Sequence, residues 1–141
     1  YDAGVINDYL DERYPHPPLM PVDPVSRAQL RLTHHRILKD WFIIARELEG
    51  STGKKAEGLA KQLKEGIIAA NELFKMSEYV LSDELSLVDC SLGPLFWRLP
   101  HYGVKLGKPG ASVEAYAHRI FSRSSFKASL TQAERDLVLA A

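Results

Sequence analysis

The chain carries a single cysteine, Cys90, among its 141 residues, which rules out an intrachain disulfide and a fold held by disulfide staples. Set in an apolar run, Cys90 is expected to act as a small buried hydrophobe, and a reducing, cytoplasmic setting fits it. Net charge is missing too. With 18 Lys+Arg against 18 Asp+Glu there is no general basic field for a phosphate backbone, so direct nucleic-acid binding is not expected. No apolar run approaches the about 18 to 20 residues of a membrane span, and no charged n-region with an apolar h-region opens the chain, so no membrane association is expected. Strand periodicity is absent as well, which predicts an all-helical bundle. The hydrophobic content of 45% is enough for the core of one compact domain.

What the chain does have is proline in one place. Pro15, Pro17, Pro18, Pro21 and Pro24 are five of its eight prolines, the first four in the run YLDERYPHPPLMP from Tyr9 to Pro21, after a charged helix end, and the fifth just beyond it. Proline fixes its own backbone and biases the residue before it away from helix, so this stretch is an extended, rigid surface knuckle. Ahead of it, Val5, Ile6, Tyr9 and Leu10 recur at helical spacing. From composition alone, Pro15 to Pro18 reads as a stiff linker that sets the orientation of what it joins.

Beyond the knuckle, Asp23 and Pro24 give an N-cap and a first-turn proline. The long helix they open carries Leu30, Ile37, Leu38, Trp41, Ala45 and Leu48 on one stripe with His34, and Gly50-Ser51-Thr52-Gly53 ends it. A second helix is expected from about Lys55 to Met76, with Leu59, Leu63, Ile67, Ala70, Leu73 and Phe74 inward. Within it Gly58 and Gly66 each cost about 1 kcal/mol relative to alanine. Tyr79, Val80 and Leu81 form a short apolar plug before Ser86-x-x-Asp89, whose spacing is that of a capping box, with Leu85 and Cys90 at the hydrophobic-staple positions. The helix that follows has little polar face and belongs at the centre of the bundle, bent at Pro94 and ended by Pro100. Tyr102 to Gly110 reads as a glycine-rich loop. A helix from about Ser112 to Arg123 and a last one opened by a second box, Thr131-x-x-Glu134, complete the chain.

Residue by residue, catalysis finds little support. His16 has no serine, cysteine or paired carboxylate at a spacing that makes a relay. His34 and His35 are adjacent on a helix and point about 100° apart, so they do not form the i, i+4 pair of a metal site, and neither a metal nor a cofactor is expected. His34 belongs to the core or to a subunit interface, and His35 to solvent. Ser86 and Asp89 serve the helix start rather than chemistry. Arg119 and Arg123, with Arg27, Arg31 and Arg36, alternate with acids and read as solvated helix faces.

The box and the helix it opens, SLVDCSLGPLFWRL from Ser86 to Leu99, resemble the C-terminal helical domain of the glutathione S-transferase fold, and YDAGVINDYLDERYP resembles the last helix of that fold's thioredoxin-like domain. The resemblance implies a remnant of the thioredoxin-like domain plus its proline-rich linker over residues 1–22, and a helical domain over 23–141. More narrowly, YLDERYPHPPLMPVDPVSRAQLRL, LSDELSLVDCSLGPLFWRLP and FSRSSFKASLTQAERDL resemble the stringent starvation protein A family, bacterial regulators with a transferase-like fold and no transferase activity. That resemblance implies a homodimer, or a heterodimer with a paralogue, that binds RNA polymerase with its primary sigma factor under starvation or stress. It makes Pro15, His16 and Pro17 a docking patch, with Tyr14 and Pro18 as neighbours. It also implies that the stripe around Leu30, His34 and Trp41 is shared between the core and a partner subunit. The rival reading is a glutathione-dependent transferase or reductase whose catalytic group lies in sequence upstream of Tyr1. Against it, Asp2-Ala3 stands where glutathione-binding relatives carry an acid followed by serine, and the hydroxyl donor is lost.

Overall fold

A computed structural model of the chain describes residues 3–139. Helix α1 (Ala3–Arg13) leads into the proline knuckle, and α2 (Pro24–Ile37) follows. Asp23 caps α2, its Oδ2 accepting from the Ser26 backbone N–H and hydroxyl, each at 2.8 Å; these bonds hold its carboxyl below the usual range. A π-helical segment, Leu38–Phe42, joins α2 to α3 (Ile43–Glu49) without a break. The wider turn resets the register. Leu30, Ile37, Trp41, Ala45 and Leu48 are buried as the spacing requires, but Leu38 is turned out to the surface.

Helix α4 (Gly53–Ala69) packs antiparallel on α3, and a 3₁₀ turn, Asn71–Lys75, replaces the last turn expected of it, burying Phe74 and leaving Met76 exposed. The central helix is α5 (Leu87–Trp97), and α6 (Ala111–Ser122) crosses it. Trp41, Phe74, Phe96 and Tyr116 meet in one aromatic cluster with centroid separations of 4.8 to 6.2 Å, so α2 to α6 share a continuous core. In the loop before α6, Val104 and Leu106 are buried, which makes it part of the core's wall.

The start of α5 holds the bundle's strongest polar constraint. Asp89 is fully buried, and both of its carboxylate oxygens are taken. Oδ2 accepts from the Ser86 N–H and the Ser86 hydroxyl, each at 2.7 Å; Oδ1 accepts from the Val80 N–H at 3.0 Å and the Tyr116 hydroxyl at 2.5 Å. The capping box is therefore in place, and it reaches two further elements. Burial, together with the adjacent Asp89 carboxylate, pushes the Tyr116 phenol far up, so it remains a donor.

Cys90 does not take the buried place expected of it. Leu87, Val88, Asp89, Leu92, Gly93, Leu95 and Phe96 turn most of α5 inward, and the remaining stripe carries Cys90 and, four residues on, Pro94, both exposed. Pro94 lacks the N–H that would have bonded the Cys90 carbonyl, and its place on the exposed stripe puts that carbonyl within reach of water. Crowding by surrounding protein and the Asp89 carboxylate nonetheless push the thiol up to about 11.

Two short C-terminal helices close the bundle. Helix α7 (Ser124–Ser129) has no signal of its own in the sequence; Phe126 there packs edge-on against Trp97 and beside Phe121. Helix α8 (Gln132–Leu139) starts with Thr131 Oγ1 accepting from the Glu134 N–H at 3.2 Å, half of the expected box. The Glu134 carboxylate instead binds the Arg98 guanidinium through Nε and Nη2, which holds its carboxyl below the usual range, and the Glu134 carbonyl accepts from Trp97 Nε1 at 3.1 Å. A long-range arginine outcompetes the local cap.

Urea unfolding tests this arrangement at two points. Asp89→Ala leaves four buried donors without an acceptor and is expected to cost about 3 to 5 kcal/mol, above the range of an ordinary cap; Tyr116→Phe, which removes one donor, should cost about 1.5 to 3 kcal/mol. A loss of about 1 kcal/mol for Asp89→Ala would reduce the hub to a simple cap. On α4, a Cβ on Gly58 meets open space while one on Gly66 would stand 3.2 Å from the Trp41 indole nitrogen. Gly58→Ala is therefore expected to gain up to about 1 kcal/mol, and Gly66→Ala measurably less.

Candidate partner-docking surface

The knuckle is held at both ends. At its start the Tyr14 N–H donates to the Leu10 carbonyl, the His16 N–H to the Tyr14 carbonyl, both at 2.9 Å, and the Arg13 guanidinium lies over the Tyr14 ring 5.3 Å from its centroid. At its end the Leu19 N–H donates to Asp11 Oδ1 at 2.7 Å, and the Leu19 carbonyl accepts from the Leu87 N–H, the first residue of α5, at 3.0 Å. Asp11, the buried residue of α1, and Met20, buried beyond the turn, complete the clamp. Between these anchors Tyr14, Pro15, His16, Pro17 and Pro18 are all exposed, and the His16–Pro17 peptide bond is cis. The structure thus brings the five residues singled out from the sequence together as one solvent-facing ridge on a fixed base.

Next to the ridge runs a groove of about 280 Å³ lined by Pro18 and Met20 of the knuckle, Ser26 and Gln29 of α2, and Leu81 and Glu84. Leu81 was expected to plug the core with Tyr79 and Val80. Those two are buried, but Leu81 has φ 60° and 44% of its surface is exposed, at the tip of a turn in which the Tyr79 N–H donates to the Ser82 carbonyl at 2.8 Å. The positive φ rotates its side chain out of the core line. Arg119 and Arg123, expected as solvated helix faces, hold this turn instead. Arg119 donates to the Glu78 carbonyl through Nε and Nη2 at 3.1 and 2.9 Å, and Arg123 donates to the Tyr79 hydroxyl at 2.7 Å.

A second cluster escaped the sequence reading. His34 Nε2 lies 2.8 Å from Ser91 Oγ, whose proton also has the Leu87 carbonyl as acceptor at 3.1 Å. The pair joins α2 to α5 beside a hollow of about 190 Å³ that Asp8 of α1 also lines. Burial lowers the His34 pKa, and the Asp8 carboxylate opposes that shift. The only signal for the pair in the sequence was the place of His34 on an apolar stripe. Leu30 and Trp41 are buried in the core of the chain, and His35 is exposed as expected. Asp2 lies outside the described residues. Among those residues no cluster of His, Cys, Asp and Glu suits a metal ion, and no helix is long and apolar enough to cross a membrane.

No family model matches the chain. It is 44% identical over 135 residues to a stringent starvation protein A homolog of Haemophilus ducreyi, covering 92% of this chain and 62% of that protein. It is 42% identical over 138 residues to a stringent starvation protein A homolog of Coxiella burnetii, covering 97% and 66%. The chain therefore spans a little under two thirds of the length of these relatives. The solved tau-class glutathione S-transferase of mango superposes with a TM-score of 0.74 at 19% identity, over 99% of this chain and 69% of that one, which establishes the glutathione S-transferase C-terminal-like helical fold.

His34 makes the bundle sensitive to pH. Its folded pKa lies below the ordinary value of about 6.5, so the unfolded chain binds the proton first as pH falls, and stability is present above about 6.5 and lost below it. Urea midpoints at neutral and mildly acid pH should therefore fall further for the unaltered protein than for His34→Gln. Equal falls would place the acid sensitivity elsewhere.

Proposed function

Over the length it spans, the chain belongs to the stringent starvation protein A family, and from that premise we propose that it is part of a noncatalytic bacterial transcription regulator. In this reading the full-length protein binds RNA polymerase with its primary sigma factor under starvation or stress. It works in the cytoplasm as a homodimer, or as a heterodimer with a paralogue. Residues 1–22 are the last helix and linker of a thioredoxin-like unit, and residues 23–141 form the helical domain that carries it.

One observation carries the proposal: Tyr14 to Pro18 stand exposed while the residues on either side are clamped to α1 and to the start of α5. A ridge of proline rings loses little further freedom when a partner covers it, and His16 adds a hydrogen-bonding tip. The chemistry required of such a surface is complementarity alone. No covalent step is asked of any residue in it.

The rival, a glutathione-dependent transferase, is the reading invited by the fold's solved relatives. It needs a catalytic group and most of a glutathione site from sequence upstream of Tyr1. Calorimetry of the full-length protein with glutathione is expected to be silent; tight binding with turnover of an electrophile would favour the enzyme.

The direct test changes Pro15, His16 and Pro17 together to alanine in the full-length protein and measures transcription by reconstituted polymerase holoenzyme. Activation is expected to be lost while folding and sedimentation are unchanged, because all three side chains lie outside the core. Unaltered activation would count decisively against the ridge.

A further inference from the structure

We infer that the apolar pocket between the end of α5, the loop before α6 and α6 itself binds a small aliphatic monocarboxylate, its tail inside and its carboxylate on Lys105. The inference does not rest on the docking reading: Leu87, which anchors the knuckle, stands at the opposite end of α5 from this pocket.

Three segments build the pocket. Phe96 and Leu99 stand at the end of α5, Val104 and Leu106 on the loop, and Val113 and Ala117 on α6; each is buried, yet together they border about 510 Å³ of free space. Apolar surface left open to water is unfavourable, and a side chain larger than Ala117 would close the hollow, so folding alone does not call for it. The loop that walls it is held in place. The Val104 N–H donates to the Leu99 carbonyl at 2.9 Å, the Gly107 N–H to Glu114 Oε1 at 3.1 Å, and the Gly110 N–H to the Gly107 carbonyl at 2.9 Å. Gly107 holds φ 64°, and a Cβ on Gly110 would stand 2.5 Å from the Leu106 Cβ, so glycine at both places lets the loop turn and seat Leu106. The wall stands before any ligand arrives, which keeps the ordering cost of binding low.

Size and chemistry identify the ligand. The volume falls within the roughly 300 to 1,000 Å³ of small-molecule pockets, and those six side chains offer a bound tail apolar contact alone. Three ionisable residues also line the pocket, and all three are exposed: Lys105, Glu114 and His118. Glu114 is engaged by the Gly107 N–H, and drawing it to a ligand would release the loop. Lys105 has no carboxylate within ion-pair distance among the described residues, and the His118 ring has only the Ser122 hydroxyl, 3.5 Å from Nδ1. Two free donors against one engaged acceptor favour an anionic head over a cationic one. Lys105 also lines a neighbouring hollow, where Lys61 and Lys64 outnumber the one acid, Glu57, so the pocket opens toward lysines.

The experiment is an amide NMR titration of the full-length protein at low salt with octanoate, 1-octanol and octylammonium, for the parent, Ala117→Leu and Lys105→Glu. Octanoate is expected to bind the parent more tightly than either other probe and to shift the amides of the loop wall and of α6 around Ala117. Lys105→Glu should weaken octanoate by about three- to tenfold, less at high salt, and leave octanol unchanged. Ala117→Leu fills the pocket and should abolish octanoate binding with the melting temperature kept or raised. If that variant melts lower, the surface change Lys105→Glu decides by itself. Octanoate that does not bind the parent, or that binds a well-folded Ala117→Leu equally, overturns the inference. So does octanol or octylammonium binding as tightly as octanoate, or a Lys105→Glu variant that binds octanoate like the parent, because the site would then select no anionic head.

Discussion

A carboxylate with no solvent contact organises this bundle. Buried Asp89 must have its lone pairs satisfied by protein, and the four donors that do so come from three separate places: Ser86 at the start of α5, Val80 in the preceding turn, and Tyr116 on α6. A local helix cap has become a tertiary node. Since Tyr116 also belongs to the aromatic cluster with Phe74 and Phe96, the polar node and the apolar core are fastened to each other. Loss of the carboxylate would loosen both at once.

The same helix start positions the surface. The Leu87 N–H, one of the orphan donors of α5, is satisfied by the Leu19 carbonyl, and the Leu19 N–H is satisfied by Asp11. The proline ridge therefore takes its position from the cap of the central helix on one side and the end of α1 on the other. The Leu81 turn is fixed from the same node through Val80. Ridge and Leu81 turn are thus both tied by hydrogen bonds to the start of the same helix.

Much of this was legible in the sequence because it depends on neighbours in the chain. The Ser86 to Asp89 spacing, the Asp23-Pro24 start and the apolar periods of α4 and α6 involve residues three or four apart, and each helix started close to where it was expected, although α4 gave way to a 3₁₀ turn after Ala69. The exposed ridge was legible for the same reason, since proline acts on its own residue and the one before it. The misreadings share a different cause. Leu38 left the stripe at a π turn, Glu134 left its box for Arg98, and Arg119 and Arg123 left the solvent for Glu78 and Tyr79, each partner lying well outside a local window except at the π turn. Cys90 and Leu81 look apolar and buried in any short window; one sits on the open stripe of α5 and the other on a positive φ.

The sequence by itself determined the helical class, the helix starts and the rigidity of the proline run, because backbone propensity, capping and proline geometry are decided within a turn or two of chain. Only the tertiary structure decided that Asp89 binds residues of three segments, that His34 meets Ser91, and that Leu81 lines a groove beside the ridge. Those outcomes pair residues up to 57 positions apart, and which buried polar group finds which partner is a property of packing that no local pattern carries.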